Sequence, residues 1–282
     1  MTQKFRMKPW FYCLPALLLI LIVLVFPILY TGYVSTTNMS LYHWADYRFI
    51  GLANYARALF KFNSGFLSAL WTTILWTLIN MVLQIGIGFL IAIGLNSPAL
   101  RPRRMYKTLL MLPWAMPAYI SILLWRVGIF NTEFGVLNKL LTMLGLGKVD
   151  FLGSNTIAFC SCLALNLWMA LPFMISTIDG ALQSVDRNLY ESARLDGAGF
   201  WTCLRSITVP AIWPIVAPAA VMTTFITFKQ FDIIYLLTQQ VGSKTGANIH
   251  TILTYAYEKA FITNNYGYSS AIFILVFGML FV

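Results

Sequence analysis

Residues able to do acid–base, nucleophilic or metal chemistry are few in this chain and poorly spaced for it. Histidine occurs twice, at His43 and His250, and neither belongs to an H-E-x-x-H pair or stands near the partners a nucleophile needs. The four cysteines are Cys13, Cys160, Cys162 and Cys203. Cys160 and Cys162 are two apart, which turns them to different faces of a helix and excludes a shared metal. Gly242-Ser-Lys-Thr ends like a phosphate-binding loop but lacks the first glycine at the required distance. One stretch stands apart: Tyr190 to Pro210, YESARLDGAGFWTCLRSITVP, the only long polar, helix-forming segment between apolar runs. Glu191 and Arg194 there, with Arg187 just before them, suit a contact with a partner better than a reaction.

The rest of the chain must position that stretch. Of 282 residues, 59% are hydrophobic and 10% charged, with mean hydropathy +0.75. Soluble domains are about a quarter charged, so the chain belongs in a membrane. Its net charge of +10 sits in short segments between apolar runs, where it sets orientation and does not mark a nucleic-acid surface.

Lys4, Arg6 and Lys8 precede a first span from about Phe11 to Tyr33, with Trp10, Tyr12, Tyr30 and Tyr33 as interfacial anchors. A second, about Phe66 to Leu95, carries no charge. Arg101, Arg103, Arg104 and Lys107 follow in what reads as a short loop without an acid, which places that side in the cytoplasm together with the N-terminus. The third span, about Leu109 to Phe130, is expected as one helix kinked by Pro113 and Pro117. Arg126 near its outer end would either reach the headgroups or face an aqueous cavity. Span four runs from Thr156 to about Ile178 around Pro172, and span five from Ile207 to Phe228 with Pro210, Pro214 and Pro218 four apart on nearly one face. Val241 to Asn248 reads as a Gly-rich outer turn. A last apolar run begins near Ser269 and is too short to cross by Val282. These runs predict an all-α integral membrane protein of six spans, the sixth cut short, with both termini cytoplasmic. They divide into an N-terminal span with its external loop (1–65) and a membrane domain (66–282).

The cytoplasmic segment 179–206 is expected to fold as helix, turn, helix. Asp186 is the N-cap, Arg187 to Leu195 the helix, and Gly197 with Gly199 the left-handed turn before a second piece from about Phe200. Arg187, Glu191 and Arg194 would be exposed, and Leu182, Val185, Leu189 and Ala193 turned inward. By composition alone the segment is either an amphipathic loop beneath the bundle or a helix docked into a partner's groove.

The pattern E191-S-A-R-L-D-G197, nine residues, then I207-T-V-P210, closely resembles the EAA signature of type I ABC-importer permeases (Glu-Ala-Ala, three residues, Gly, nine residues, Ile-x-Leu-Pro). The chain departs from it at Ser192 and Val209, and Asp196 to Ala198 also matches. From about Phe66 onward, LPWAMPAYISILLWR and FNTEFGVLN resemble the maltose-type carbohydrate branch. The resemblance implies that Glu191, Ser192, Ala193, Asp196, Gly197 and Ala198 form a coupling helix seated in a cytoplasmic ATPase subunit. It further implies two such ATPases binding ATP and Mg, a second and different permease subunit, an extracytoplasmic solute-binding protein, and a bacterial or archaeal inner membrane. This chain itself would be neither an enzyme nor a cofactor carrier.

Carried over from the same family, Trp168, Ala170 and Phe173 on span four and Thr223, Ile226, Thr227 and Gln230 on span five would contact a sugar midway across. Thr223, Thr227 and Gln230 recur at about helical spacing, and sugars favour hydroxyl and amide partners beside an aromatic face. Threonines bonded to their own helix and a merely packed Phe173 are the alternative. Lys229 and Arg126 leave an acidic saccharide or glycerol phosphate open as cargo. A secondary transporter is the rival class, but it needs an ionisable residue at mid-membrane, and no Asp or Glu falls within a predicted span.

Overall fold

The computed structural model describes residues 8–61, 65–97, 100–239 and 246–281. Lys4, Arg6 and most of the Gly-rich turn (240–245) lie outside the described residues, as does Val282. The described chain is helical, with one isolated bridge between Thr37 and Phe49. It forms two compact units, residues 1–70 with 252–282, and residues 71–251.

In the first unit, α1 (Lys8–Ile20) continues through the π-turn Leu21–Val25 into α2 (Phe26–Ser35). Tyr12–Ser35 is long and apolar enough to span a membrane. α2 packs on α14 (Tyr266–Phe281), against which α3 (Ala53–Phe60) and α13 (Ile252–Tyr257) also lie. Asn54 satisfies the end of α2 by donating to the Ser35 and Thr37 carbonyls at 2.9 and 2.8 Å, a cap for acceptors that a helix terminus leaves unpaired. Close approach at the start of α14 requires glycine. A Cβ on Gly267 would come within 2.2 Å of the Thr37 carbonyl oxygen.

The second unit is built on α8 (Asn155–Gln183), started by the Ser154 side chain accepting from the Ile157 amide. One half of α8 packs Cys162 and Leu165 among Trp76 of α4 (Phe66–Asn96), Ile122 of α6 (Ala118–Leu124), and Ile233 and Ile234 of α12 (Asp232–Ile234). The other half packs Met174, Ile178 and Ala181 against Ala92 of α4 and Ile212 and Val216 of α11 (Val209–Phe228). Between these layers Asn166 donates to the Asn80 side-chain oxygen at 2.6 Å. A hydrogen-bonded amide pair of this kind is tolerated where a lone polar group would not be. α7 (Val136–Met143) lies in the segment that leads to α8, where Asn138 bonds the Asn131 and Val149 carbonyls.

Span three is not one kinked helix. α5 (Arg103–Ala115) and the helix Ala118–Ile129, which contains α6, meet at 95°. The position of the break has a local cause. Proline disfavours α geometry in the residue before it, and Met116, ahead of Pro117, is extended at φ −87°, ψ 138°. Pro117 also lacks the amide that would continue the ladder. Pro113 lies inside α5, and Pro172, Pro214 and Pro218 lie inside α8 and α11, none of which ends there.

Two boundaries also move. Arg103, Arg104 and Lys107, expected in a loop, occupy the first turns of α5. α8 continues to Gln183, so Asp179 belongs to the helix and not to the connecting segment. By length and composition four described helices can cross a membrane: Tyr12–Ser35, Phe66–Asn96, Asn155–Gln183 and Phe200–Phe228. Counting the bent pair as one span gives five, and the shorter apolar α14 follows.

Candidate functional site

The polar stretch folds as α9 (Arg187–Leu195), begun by Asp186, whose carboxylate accepts from the Asn188 amide at 2.9 Å. Its end is a Schellman closure. The Ala198 amide donates to the Ala193 carbonyl at 2.9 Å and the Gly197 amide to Arg194 at 3.0 Å. Gly197 takes φ +80°, and a Cβ there would meet nothing within 4 Å, so the glycine serves the dihedral and not space. Gly199 does not share this role: at φ −78° it sits where any residue could, as the N-cap of α10 (Phe200–Cys203). α10 passes through the π-turn Leu204–Thr208 into α11, giving one helix from Phe200 to Phe228. The second piece of the motif and span five are therefore a single rod.

No residue of α9 is buried. Leu189, expected to face inward, is 50% exposed. The inward contacts come from Ala193, half-buried, and from Tyr190, whose hydroxyl lies 2.9 Å from the Thr208 hydroxyl. That bond fastens α9 to the start of the rod. Glu191, Ser192, Asp196 and Gly197 are exposed, and Ala198 is half-buried. Around them Leu195 is 90% exposed, Trp201 77% and Phe200 62%, the last two meeting edge to face at 5.4 Å. Large apolar groups clustered in the open beside charges mark a surface that meets a partner protein or the membrane.

Just before α9 lies a group that sequence reading missed. Asp179 is buried, and its carboxylate accepts from Asn96 at 2.8 Å, Arg103 at 3.1 Å, Gln183 at 2.8 Å and Lys107. Arg103 also donates to the Asn96 side-chain oxygen. The spacing of Asp179 and Gln183, four apart on one helix, was the available signal. The other partners lie more than 70 positions away.

The residues expected near a sugar are not gathered at one exposed face. Thr223 and Thr227 join Ile212 and Val216 on the buried stripe of α11, and the Thr223 hydroxyl donates to its own helix at Ala219, 2.8 Å away. Ile226 is exposed, and Gln230 half-buried beyond the helix end. On α8, Ala170 and Phe173 are half-buried, while Trp168 packs at 5.4 Å against Trp125. The Arg126 guanidinium donates to the Leu236 carbonyl at 2.7 Å, tying the end of the helix Ala118–Ile129 to the turn Tyr235–Gln239.

Comparison with known proteins identifies the family of this helical membrane chain. Residues 84–282 match the binding-protein-dependent transport system inner membrane component, and the chain belongs to that family. It is 30% identical over 271 residues to the galactooligosaccharide transport permease GanP of Bacillus subtilis, covering 93% of this chain and 65% of that protein. It is 31% identical to the trehalose/maltose permease MalF of Thermococcus litoralis, covering 94% of this chain and 86% of that one. The fold is shared with the crystal structure of a bacterial ABC transporter involved in import of the acidic polysaccharide alginate, at TM-score 0.82 and 24% identity over 97% of this chain and 91% of the other.

Proposed function

We propose that this chain is a permease subunit of an ATP-driven sugar importer. It forms half of the translocation path with a second, different permease. Two cytoplasmic ATPase subunits supply ATP hydrolysis, and an extracytoplasmic binding protein delivers the sugar. The cargo class is supported by the relatives, whose names specify galactooligosaccharides and trehalose or maltose.

The observation that carries the reading is α9. It is held at both ends by its own caps, anchored through Tyr190 and Thr208, and bare on its outward side at Glu191 and Leu195, with exposed Trp201 of α10 following it in the chain. A rigid amphipathic helix of this kind suits a groove in a partner. Because α9 is joined to α8 before it and to the Phe200–Phe228 rod after it, a push on α9 is delivered to two membrane helices at once. Glu191, Ser192, Ala193, Asp196, Gly197 and Ala198 are assigned to that contact. Trp168, Ala170, Phe173, Thr223, Ile226, Thr227 and Gln230 are assigned to the sugar path once the second permease completes it. Pro117 is assigned to a hinge, and Pro113, Pro172, Pro210, Pro214 and Pro218 to kinks within helices that continue through them.

The test is reconstitution of the chain with its partner subunits and binding protein in proteoliposomes. ATP-dependent uptake of labelled maltotriose or galactotriose is expected, with loss of uptake in the Glu191→Ala/Gly197→Ala double variant. Uptake that needs an ion gradient and proceeds without ATP would overturn the reading.

A further inference from the structure

We propose that Asp179 is a positioning residue that makes the ends of α4, α5 and α8 one rigid transmitting body, so that movement of α9 turns the lower half of the broken span about Pro117. This inference rests on the coupling role proposed for α9. Its basis is the arrangement at the α8 terminus. Asp179 lies eight residues before Arg187, where α9 begins, and collects the end of α4 through Asn96 and the start of α5 through Arg103 and Lys107. Gln183, one turn further on, donates to both the carboxylate and the backbone oxygen of Asp179, fixing its orientation.

The carboxylate is the most shielded member of the cluster. The Asp179 side chain is 10% exposed, against 36% for Arg103 and 32% for Lys107. A cavity of about 180 Å³ beside it is lined mainly by apolar side chains, among them Leu95, Leu110, Met111 and Ile175, together with Lys107 itself. Hydrogen bonds to ionised groups are the strong ones. At the far end of α5 the contrast is complete: the ladder stops at Met116 and the axis turns by 95°. α5 is thus clamped to the helix that bears α9 and jointed to the helix beyond it, which is the geometry of a lever with one hinge.

Double electron–electron resonance on the assembled complex tests this, with the four native cysteines replaced and spin labels on exposed positions. One pair, at Met105 and Ser184, reports α5 against the end of α8. A second pair, at Met105 and Tyr119, reports across the break. Between the nucleotide-free state and the state trapped with ATP and vanadate, the first distance is expected to hold while the second shifts. In Asp179→Asn the first distribution broadens and shifts, and the second loses its nucleotide response although ATP hydrolysis persists. If Asp179→Asn fails to assemble, Lys107→Gln carries the same comparison.

A first distance that changes in the unmutated complex overturns the proposal. So does one that stays fixed when the ion cluster is broken, or a second distance that never moves. In each of those cases the ATPase subunits still associate and hydrolyse ATP, and the coupling role of α9 stands. Failure of the ATPase subunits to associate with the unmutated chain removes both readings.

Discussion

The amide of Ala198 donates to the carbonyl of Ala193 at 2.9 Å, closing α9 over a glycine at φ +80°. That bond sets where the helix stops and where the rod to the membrane begins. With open space around Gly197, Gly197→Ala isolates the dihedral. An L-residue in this region costs about 1–2 kcal/mol, enough to lower the population of the closed turn roughly 5- to 30-fold. Hydrogen exchange should show the amides of α9 losing protection, and Gly197→Asn should lose less, since Asn tolerates the left-handed region.

Leu195 has almost no contact with its own chain, so Leu195→Glu is expected to change stability by no more than about 0.5 kcal/mol. Copurification of the ATPase subunits should nonetheless fall. A central interface residue costs about 2 kcal/mol or more when lost, which is about 30-fold in affinity. Equal retention by the variant would remove Leu195 from the contact.

How much of this was legible in the sequence follows from distance along the chain. Asp186, Gly197 and the six-position spacing from Glu191 to Gly197 are local signals, and the helix, its N-cap and its turn follow from them. The break was half legible. Pro113 and Pro117 both announce a disturbed helix, but only the geometry at Met116 distinguishes the proline that ends it from the one that is absorbed. Asp179 was legible only through its four-residue spacing from Gln183. A residue next to the expected end of an apolar run reads as solvated, and its meaning depends on Asn96, Arg103 and Lys107, which the fold brings from 72 to 83 positions away. The exposure of Leu189 was hidden for a related reason: its apolar character predicts burial, but α9 has too little of the unit behind it to bury more than Tyr190 and Ala193 in part.

Pro117→Ala restores an amide and frees Met116 from its extended geometry. The two halves of the span should then populate straighter arrangements, seen as a longer separation between labels at Met105 and Tyr119. Pro113→Ala alone should leave that separation unchanged, because α5 already runs helically through Pro113.

Arg126→Met deprives the Leu236 carbonyl of its charged donor. Hydrogen bonds to charged groups contribute about 1.5–3 kcal/mol, so the detergent-solubilised protein should melt at a lower temperature. Arg126→Lys should recover only part of the loss, since an ammonium lacks the planar fork of the guanidinium.

The central claim is that α9 is where a cytoplasmic ATPase takes hold of this membrane chain. Ser192 is exposed in the middle of that helix, and a photoactivatable cross-linking residue placed there reads the contact directly in membranes containing all the partner subunits. The account predicts a covalent adduct with the ATPase subunit, together with no such adduct from the same probe at exposed Phe261. A probe at Ser192 that labels only lipid or its own chain, in membranes where the ATPase is present and active, would contradict it.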